Sequence, residues 1–211
     1  MQIYICSDVH NQFEKFVPDR PVDLVLCAGD ITNQGNREYY QMDRAKQWLF
    51  DLSNYGRISV FFVPGNHDIG GLDVDMSGTT RDLTVKYRKH FWNKGTTHAL
   101  FGGASMSPCY DMPDLATFWD NMTANPEVEK AYYENLAPCD ILVSHCPPSG
   151  DLGFCTINQK DFGSAELRKW IEINQPKLVV CGHIHDPKER LEMIGKTQAI
   201  NTARQGHILS V

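Results

Sequence analysis

The chain has 211 residues, 42% of them hydrophobic, with 20 basic against 26 acidic side chains and a formal net charge of -6. That length suits one domain with a sizeable core, and the acidic balance excludes a general attraction for nucleic acid or anionic membrane. Seven cysteines without a C-x-x-C pair argue for reduced thiols rather than a disulfide framework, and no run approaches the roughly 20 apolar residues of a membrane span.

The start, Met1-Gln2-Ile3-Tyr4-Ile5, has neither a basic region nor a long apolar one, so a cytoplasmic protein, mature as written and without a membrane partner, is expected. Ile3-Tyr4-Ile5-Cys6-Ser7 predicts a first strand running into Asp8-Val9-His10. Phe13, Phe16 and Val17 stand at helical spacing, which predicts a short helix over Asn11 to Val17, stopped by Pro18 and Pro21. Leu24 to Ala28 is a second strand ending in Gly29-Asp30, and Ile31 to Gly35 reads as a loop. A helix follows from about Arg37 to Asn54, with Ala45, Trp48, Leu49 and Leu52 on one stripe, as a crossover between parallel strands requires. Arg57 to Val63 is the third strand; Pro64-Gly65 stop it, and Asn66-His67-Asp68 follow.

Ile69 to Thr80 has no apolar period and predicts a surface loop, Arg81 to Phe91 a helix, and His98 to Ala104 a strand in which Gly102-Gly103 mark a bulge or a close backbone approach. Residues 105–125 are irregular and rich in Met, Pro and aromatics, among them Tyr110, Met112, Phe118, Trp119 and Met122, and predict an insertion or cap over the core. Glu127 to Leu136 and Ser164 to Ile173 read as helices, the second with a weak capping cue. Ile141 to Ser144 is a strand that delivers His145 beside the stiff loop Cys146 to Asp151, and Leu178 to Cys181 delivers Gly182-His183-Ile184-His185. The tail supplies strands at Leu191 to Ile194, Gln198 to Thr202 and His207 to Val211, whose hairpin-like turns imply sheets that are not purely parallel.

Five apolar strands therefore end in residue types that can bind metals. Ligands in open α/β sheets sit outside the carboxyl ends of the strands, so the five endings point to one shared site. Asp-x-His, Gly-Asp, Gly-Asn-His-Asp, a lone His and Gly-His-x-His, in that order from Asp8 to His185, resemble the motifs of the calcineurin-like metallophosphoesterase superfamily. The resemblance implies one α/β domain over 1–211 in which two mixed β-sheets are sandwiched between helices.

The donors are oxygen and nitrogen only, a mixture that suits Mn²⁺, Fe²⁺ or Zn²⁺ and holds too much imidazole for Mg²⁺ or Ca²⁺. Two such ions about 3.5–4 Å apart would hold a bridging water, lower its pKa and steady an in-line phosphoryl displacement. The resemblance implies that Asp8, His10 and His185 hold one metal, Asn66, His145 and His183 the other, and that Asp30 bridges them. In Asp8-Val9-His10 and His183-Ile184-His185 the i,i+2 spacing would set both side chains on one face of an extended segment. His67 is implied to face the scissile phosphate, as general acid for the leaving oxygen or as hydrogen-bond donor to the developing charge.

Protein Ser/Thr phosphatases of the superfamily follow Gly-Asp with an Asp-Arg pair that grips the phosphoryl group, and Gly29-Asp30-Ile31-Thr32-Asn33 has no arginine. Gly29-Asp30-Ile31-Thr32 is more similar to the cyclic-nucleotide phosphodiesterases, and His145-Cys146-Pro147-Pro148 to the small nucleotide phosphodiesterases. The expected function is hydrolysis of a phosphodiester, a nucleotide or cyclic nucleotide, by a hydrolase using manganese. The alternatives are a phosphomonoesterase, including a phosphoprotein phosphatase, and a scaffold without catalysis. Structural roles are the default for His90, His98 and His207, and small buried packing for Cys6, Cys27, Cys146 and Cys181, although a thiolate ligand stays open. Trp119, Phe118 and Tyr110 are packing residues or nucleobase stackers, and Asp151 is an outer partner of a ligand histidine or a loop residue.

Overall fold

The computed structural model describes residues 1–54, 56–70, 79–84, 90–94 and 97–210. From the amino end come β1 (Gln2–Cys6), β2 (Leu24–Cys27), α1 (Tyr39–Leu52), β3 (Ser59–Phe62) and β4 (Thr80–Asp82). The middle of the chain gives β5 (His90–Lys94), β6 (Thr97–Ala104), β7 (Ser107–Pro108), α2 (Leu115–Phe118), β8 (Met122–Thr123) and α3 (Pro126–Glu134). Then follow β9 (Ile141–Ser144), β10 (Phe154–Cys155), β11 (Lys160–Asp161), α4 (Ala165–Asn174), β12 (Leu178–Cys181), β13 (Leu191–Ile194), β14 (Thr197–Asn201) and β15 (His207–Ser210).

One sheet has the order β15-β1-β2-β3-β4 and the other β13-β14-β12-β9-β6-β5. β1 to β4 run parallel with β15 antiparallel at the edge. The second sheet has a parallel centre and antiparallel edges at β13 and β5. Both sheets are mixed, as expected.

Strand alternation builds the layers, because successive side chains leave opposite faces. Ile3, Ile5, Leu24, Leu26 and Phe61 pack against Phe101, Ile141, Val143, Leu178 and Val180 of the other sheet. The intervening Tyr4, Cys6, Val25, Cys27, Val60 and Phe62 face outwards onto Met42, Ala45, Trp48, Leu49 and Leu52 of α1. On the far side Leu142, Val179, Cys181 and Ala199 pack against Tyr133, Leu167, Trp170 and Ile171 beside α3 and α4. Strands buried on both faces read as continuous apolar runs, which is why they were visible in the sequence. The order is helix, sheet, sheet, helix. Among the described residues no helix is long and apolar enough to cross a membrane.

Two expectations are corrected. The predicted helix over Arg81 to Phe91 is strand at both described ends, β4 and β5; residues 85–89 lie outside the described residues, as do 71–78 of the predicted loop. Leu83 is fully buried between the sheets. That burial is worth roughly 1.5–3 kcal/mol, more than the ~0.7 kcal/mol range of helix propensities among ordinary residues. The helix expected over Asn11 to Val17 is a single 3-10 turn at Phe13–Lys15, anchored by the burial of Phe13 and Phe16. The two-stranded pieces β7–β8 and β10–β11 are too short to leave a period in the sequence. Ser164 does cap α4, accepting a hydrogen bond from the Leu167 N–H at 2.8 Å.

Gly103 is a close approach, as expected: a Cβ there would stand 2.9 Å from the Leu83 backbone. All seven cysteines are free. Cys6, Cys27 and Cys181 point into the helix-facing layers, not towards the site.

Candidate metal centre

The parallel strands of both sheets end at one rim, and the loops beyond them are tied together by backbone hydrogen bonds. Asp8 N donates to Gly29 O at 2.9 Å and His10 N to Asp30 O at 2.9 Å, joining the turns after β1 and β2. Gly182 N to His145 O at 3.0 Å and Thr202 N to Cys181 O at 3.0 Å join the turns after β9, β12 and β14. The sheets meet where His183 N reaches both Asp8 carboxylate oxygens, at 3.0 and 3.1 Å, and where Ser7 Oγ contacts Thr202 Oγ1.

Asp8, His10, Asp30 and His183 all have left-handed backbones, with φ of 53°, 45°, 50° and 67°. The extended segments expected around Asp8-Val9-His10 and His183-Ile184-His185 are therefore tight turns, and the side chains converge by backbone reversal, a strained conformation that collects at functional sites. Gly29 has φ of 86°, and a Cβ on it would lie 2.7 Å from Gly65 N and 2.8 Å from His145 Nδ1. No side chain fits between these turns.

All seven candidate ligands come together, in two groups. In one, Asn66 Oδ1 is 3.0 Å from His145 Nε2 and 3.0 Å from His183 Nδ1, and the two ring nitrogens are 3.2 Å apart. In the other, His185 Nε2 is 3.3 Å from Asp8 Oδ1 and 3.4 Å from His10 Nε2. Asp30 lies between them, Oδ2 at 3.7 Å from His10 Nε2 and Oδ1 at 3.5 Å from His145 Nε2.

The chemistry of these donors fits divalent cations. His145 Nδ1 lies 2.8 Å from Ala28 O, which can only accept, so Nδ1 carries the proton and Nε2 turns a lone pair towards the Asn66 oxygen. With the amide oxygen turned this way, the two lone pairs face a point that suits a cation. Asp8, Asp30 and Asp68 are all buried, at 0%, 2% and 1% exposure, and among the described residues no lysine or arginine pairs with any of them. Burial, then the charges of Asp8 and Asp68, push Asp30 well above the usual carboxylate range. Burial also raises Asp8, but the His185 hydrogen bond, the charges of His145 and His185 and the Ser7 hydroxyl outweigh it and hold Asp8 low. Asp8-His10-His185, His10-Asp30-His67 and Asp8-Asp30-His145 each have ligand atoms within 4.8 Å of one another.

Burial lowers His183 to about 3, and burial, opposed by Asp8 and aided by the charges of His67, His185 and Arg204, lowers His10 to about 3. A histidine kept neutral in the native chain but protonated when unfolded erodes stability as pH falls from about 6.5 to about 3, by up to about 1.4 kcal/mol per pH unit. In chelator, the stability of His10→Ala should thus decline less steeply between pH 6 and pH 4 than that of the wild type, as urea titrations at several pH values would read. Parallel slopes would refute a neutral His10.

His67 is half-buried. Its N–H donates to Asp30 Oδ1 at 2.8 Å, its Nδ1 lies 2.7 Å from Asn33 O, and the Trp119 ring is 4.0 Å away at 37°. Since the Asn33 carbonyl accepts from Nδ1, the free nitrogen is Nε2.

Several functional residues were not singled out from the sequence. Asp68 clamps the turns after β2 and β3, accepting from Ile31 N, Thr32 N and Gly65 N at 3.2, 2.8 and 2.9 Å. Asn201 Nδ2 donates to the carbonyls of Leu152, Gly182 and Ile184, and its Oδ1 accepts from Ala203 N at 2.9 Å. The turn so fixed carries Arg204, exposed, with φ of 60°. β14 ends there as the other strands end in site residues, which was the available signal. Asp151 pairs with Lys188 at 2.8 Å and touches no ligand histidine. His207 lies in β15, while the side chains of His90 and His98 lie outside the described residues.

A cavity of about 300 Å³ opens beside Asn66 and His183, walled by Tyr110, Met112, Trp119 and Phe162. A larger groove of about 640 Å³ between residues 13–22 and α1 contains none of the site residues.

Comparisons with known proteins bear on the fold and the family. The UPF0046 protein K07C11.7 of Caenorhabditis elegans is 27% identical over 229 residues, covering 97% of this chain and 70% of that protein. TT1561 of Thermus thermophilus superimposes with a TM-score of 0.59 at 16% identity, over 99% of this chain and 98% of that one. Purple acid phosphatase PPD1 from yellow lupin (Lupinus luteus) seeds does so with a TM-score of 0.52 at 12% identity, over 98% of this chain and 44% of that one. With the family model for calcineurin-like phosphoesterases matching residues 1–187, the chain belongs to that family, a family of phosphoester hydrolases.

Proposed function

We propose that the chain is a cytoplasmic phosphodiesterase of nucleotide type that works with two divalent cations, Mn²⁺ foremost and Fe²⁺ or Zn²⁺ next. The observation that carries the reading is the pair of donor groups sharing Asp30 at the mouth of a cavity of about 300 Å³. Asp8, His10 and His185 would hold one cation and Asn66, His145 and His183 the other, with Asp30 common to both. When bound, such a pair supplies the Lewis acidity that makes a water nucleophilic near neutral pH and steadies the phosphoryl oxygens. The seven free cysteines support a reducing compartment.

The chain's own groups do the rest. Asn33 O holds the Nδ1 proton of His67, so that the doubly protonated ring, the form the step requires, gives its Nε2 proton to the departing ester oxygen. The cavity takes the leaving group, with residues 105–125 of the single domain as its cap; Tyr110, Met112 and Trp119 offer flat or pliant apolar surface suited to a nucleoside. Arg204 supplies a fixed positive charge on the His10 side. A diester carries one negative charge where a monoester carries two, which suits a mouth with one such arginine.

The reading is tested by turnover of bis-p-nitrophenyl phosphate against p-nitrophenyl phosphate with Mn²⁺ added, followed by a panel of cyclic nucleotides. Preference for the diester is expected. A strong monoester preference overturns it in favour of a phosphomonoesterase, and no metal with no turnover leaves only a scaffold. Arg204→Gln should raise KM about three- to tenfold with little change in kcat, since an exposed charge-assisted hydrogen bond is worth about 1 kcal/mol. An unchanged KM at low salt would remove Arg204 from the site.

A further inference from the structure

Phe118, Trp119, Asp120 and Asn121 are consecutive, and each fastens to a different point around the turn that bears Asn66 and His67. Arg37 Nη2 donates to Phe118 O at 2.9 Å, and the guanidinium carbon sits 4.5 Å above the Phe118 ring. Gly70 N donates to Asp120 Oδ2 at 2.7 Å, and Asn121 Nδ2 to Gly65 O at 3.1 Å. Between these anchors the Trp119 indole lies over the His67 imidazole at 4.0 Å, and the Phe118 ring buttresses the indole edge-on at 4.7 Å.

The His67 ring is thus held on three sides: by the Asn33 carbonyl at Nδ1, by the indole across its face, and by the His10 ring, edge-on at 4.8 Å. A carbonyl alone leaves an imidazole free to swing about the axis of that hydrogen bond. The face contact removes that freedom and leaves Nε2 with one direction. The same indole is a wall of the cavity beside Asn66 and His183, so it meets both the proton donor and the group that departs.

We propose that Trp119 is a positioning residue: its indole fixes the direction of His67 Nε2 towards the ester oxygen of a leaving group seated in the cavity, and so equips the site for diesters whose leaving group is an alcohol of high pKa, as a sugar hydroxyl is. This rests on the phosphodiesterase reading above. In the step concerned, the water oxygen forms a new bond to phosphorus and the bond to the leaving oxygen breaks, its electron pair going to that oxygen. The leaving oxygen takes the proton from Nε2, the proton shed by the water passes to solvent, and solvent reprotonates His67.

A nitrophenolate departs without a proton, whereas an alkoxide does not, so the ratio of the two rates reports on the donor's aim. Wild type, Trp119→Ala, Trp119→Phe and His67→Ala are compared on bis-p-nitrophenyl phosphate and on 3′,5′-cyclic AMP, with metal content measured on the same samples. Trp119→Ala should lose about 10- to 100-fold in kcat on the cyclic nucleotide, the scale of a misplacement near 1 Å, and less than about threefold on the nitrophenyl ester, with metal unchanged. Trp119→Phe, which keeps a ring over His67, should recover most of the loss. Equal losses on the two esters, or a change in KM alone, overturn the proposal and leave Trp119 as a wall.

A second measurement needs no turnover. In the metal-free protein the His67 ring protons, identified by their disappearance in His67→Ala, should be shifted upfield by the indole ring current and move downfield in Trp119→Ala. Absence of that shift overturns the positioning role even in an active enzyme. A wild type inert towards both esters but showing the shift overturns the phosphodiesterase reading, with the contact itself intact.

Discussion

His67→Ala is expected to lower kcat on an unactivated phosphodiester by about 10²- to 10⁴-fold, the contribution of a positioned proton donor, while the protein keeps its bound metal. The separation follows from where the residue's contacts lie. Neither of the two groups that surround Asp30, Asp8-His10-His185 and Asn66-His145-His183, includes the His67 side chain, although it stands within 4.8 Å of the His10 and Asp30 donor atoms; loss of a bound cation in the variant would place His67 among the ligands instead. The backbone N–H that holds Asp30 Oδ1 at 2.8 Å survives in alanine, so the Asp30 carboxylate keeps its orientation.

His67→Asn adds a second discrimination. An amide can donate a hydrogen bond to developing charge but cannot surrender a proton, so partial recovery over alanine would mark electrostatic stabilisation, and none would mark general acid catalysis. Steady-state kinetics beside metal analysis reads both. A fully active alanine variant would remove His67 from the chemistry while leaving the donor groups standing.

The legible parts of this protein share a physical character. Ligand types stood out because each follows a strand buried on both faces, and an apolar run that stops in Asp, Asn or His has no packing reason to do so. The illegible parts depend on contacts far apart in the chain. Arg81 to Phe91 contains leucine, valine and tyrosine spaced by two as much as by three or four; pairing of Thr80–Asp82 with β3 and burial of Leu83 decided for strand. Asp68 stood inside the Asn66-His67-Asp68 run without a role because its partners, Ile31 and Thr32, are more than thirty residues away. Trp119 lay in an aperiodic stretch, where only tertiary structure could separate a ring over His67 from one in the core. The left-handed turns at Asp8, His10 and His183 were missed for another reason: these are L-residues without the glycine that normally announces a positive φ.

Asp30→Asn should abolish metal-dependent activity and yet leave the metal-free protein as stable as the wild type or more so. An ionised Asp30 is disfavoured in the bare protein, first by burial and then by the charges of Asp8 and Asp68, which together hold its pKa well above the usual range. Asparagine has the same shape without the charge. It tolerates the φ of 50° found here better than most residues, and its oxygen can still accept from His67 N. With that oxygen in place, the new amide nitrogen takes the position of Oδ2, 3.7 Å from His10 Nε2, a nitrogen that is neutral because burial lowers His10 to about 3. The charge that Asp8 and Asp68 disfavour at this buried position is thereby removed.

The cost appears only with cations. Wild-type protein should gain stability on adding Mn²⁺, by about 2.7 kcal/mol at a hundred times the dissociation constant, and the variant should gain little. Its turnover should fall by more than the ~10- to 100-fold that losing an outer partner of a ligand alone produces. Thermal unfolding with chelator and with Mn²⁺ reads both halves in one experiment. A variant that unfolds well below the wild type in chelator would mean that Asp30 belongs to the fold for reasons other than metal. One that still gains the full increment from Mn²⁺ would mean that the two donor groups do not share it.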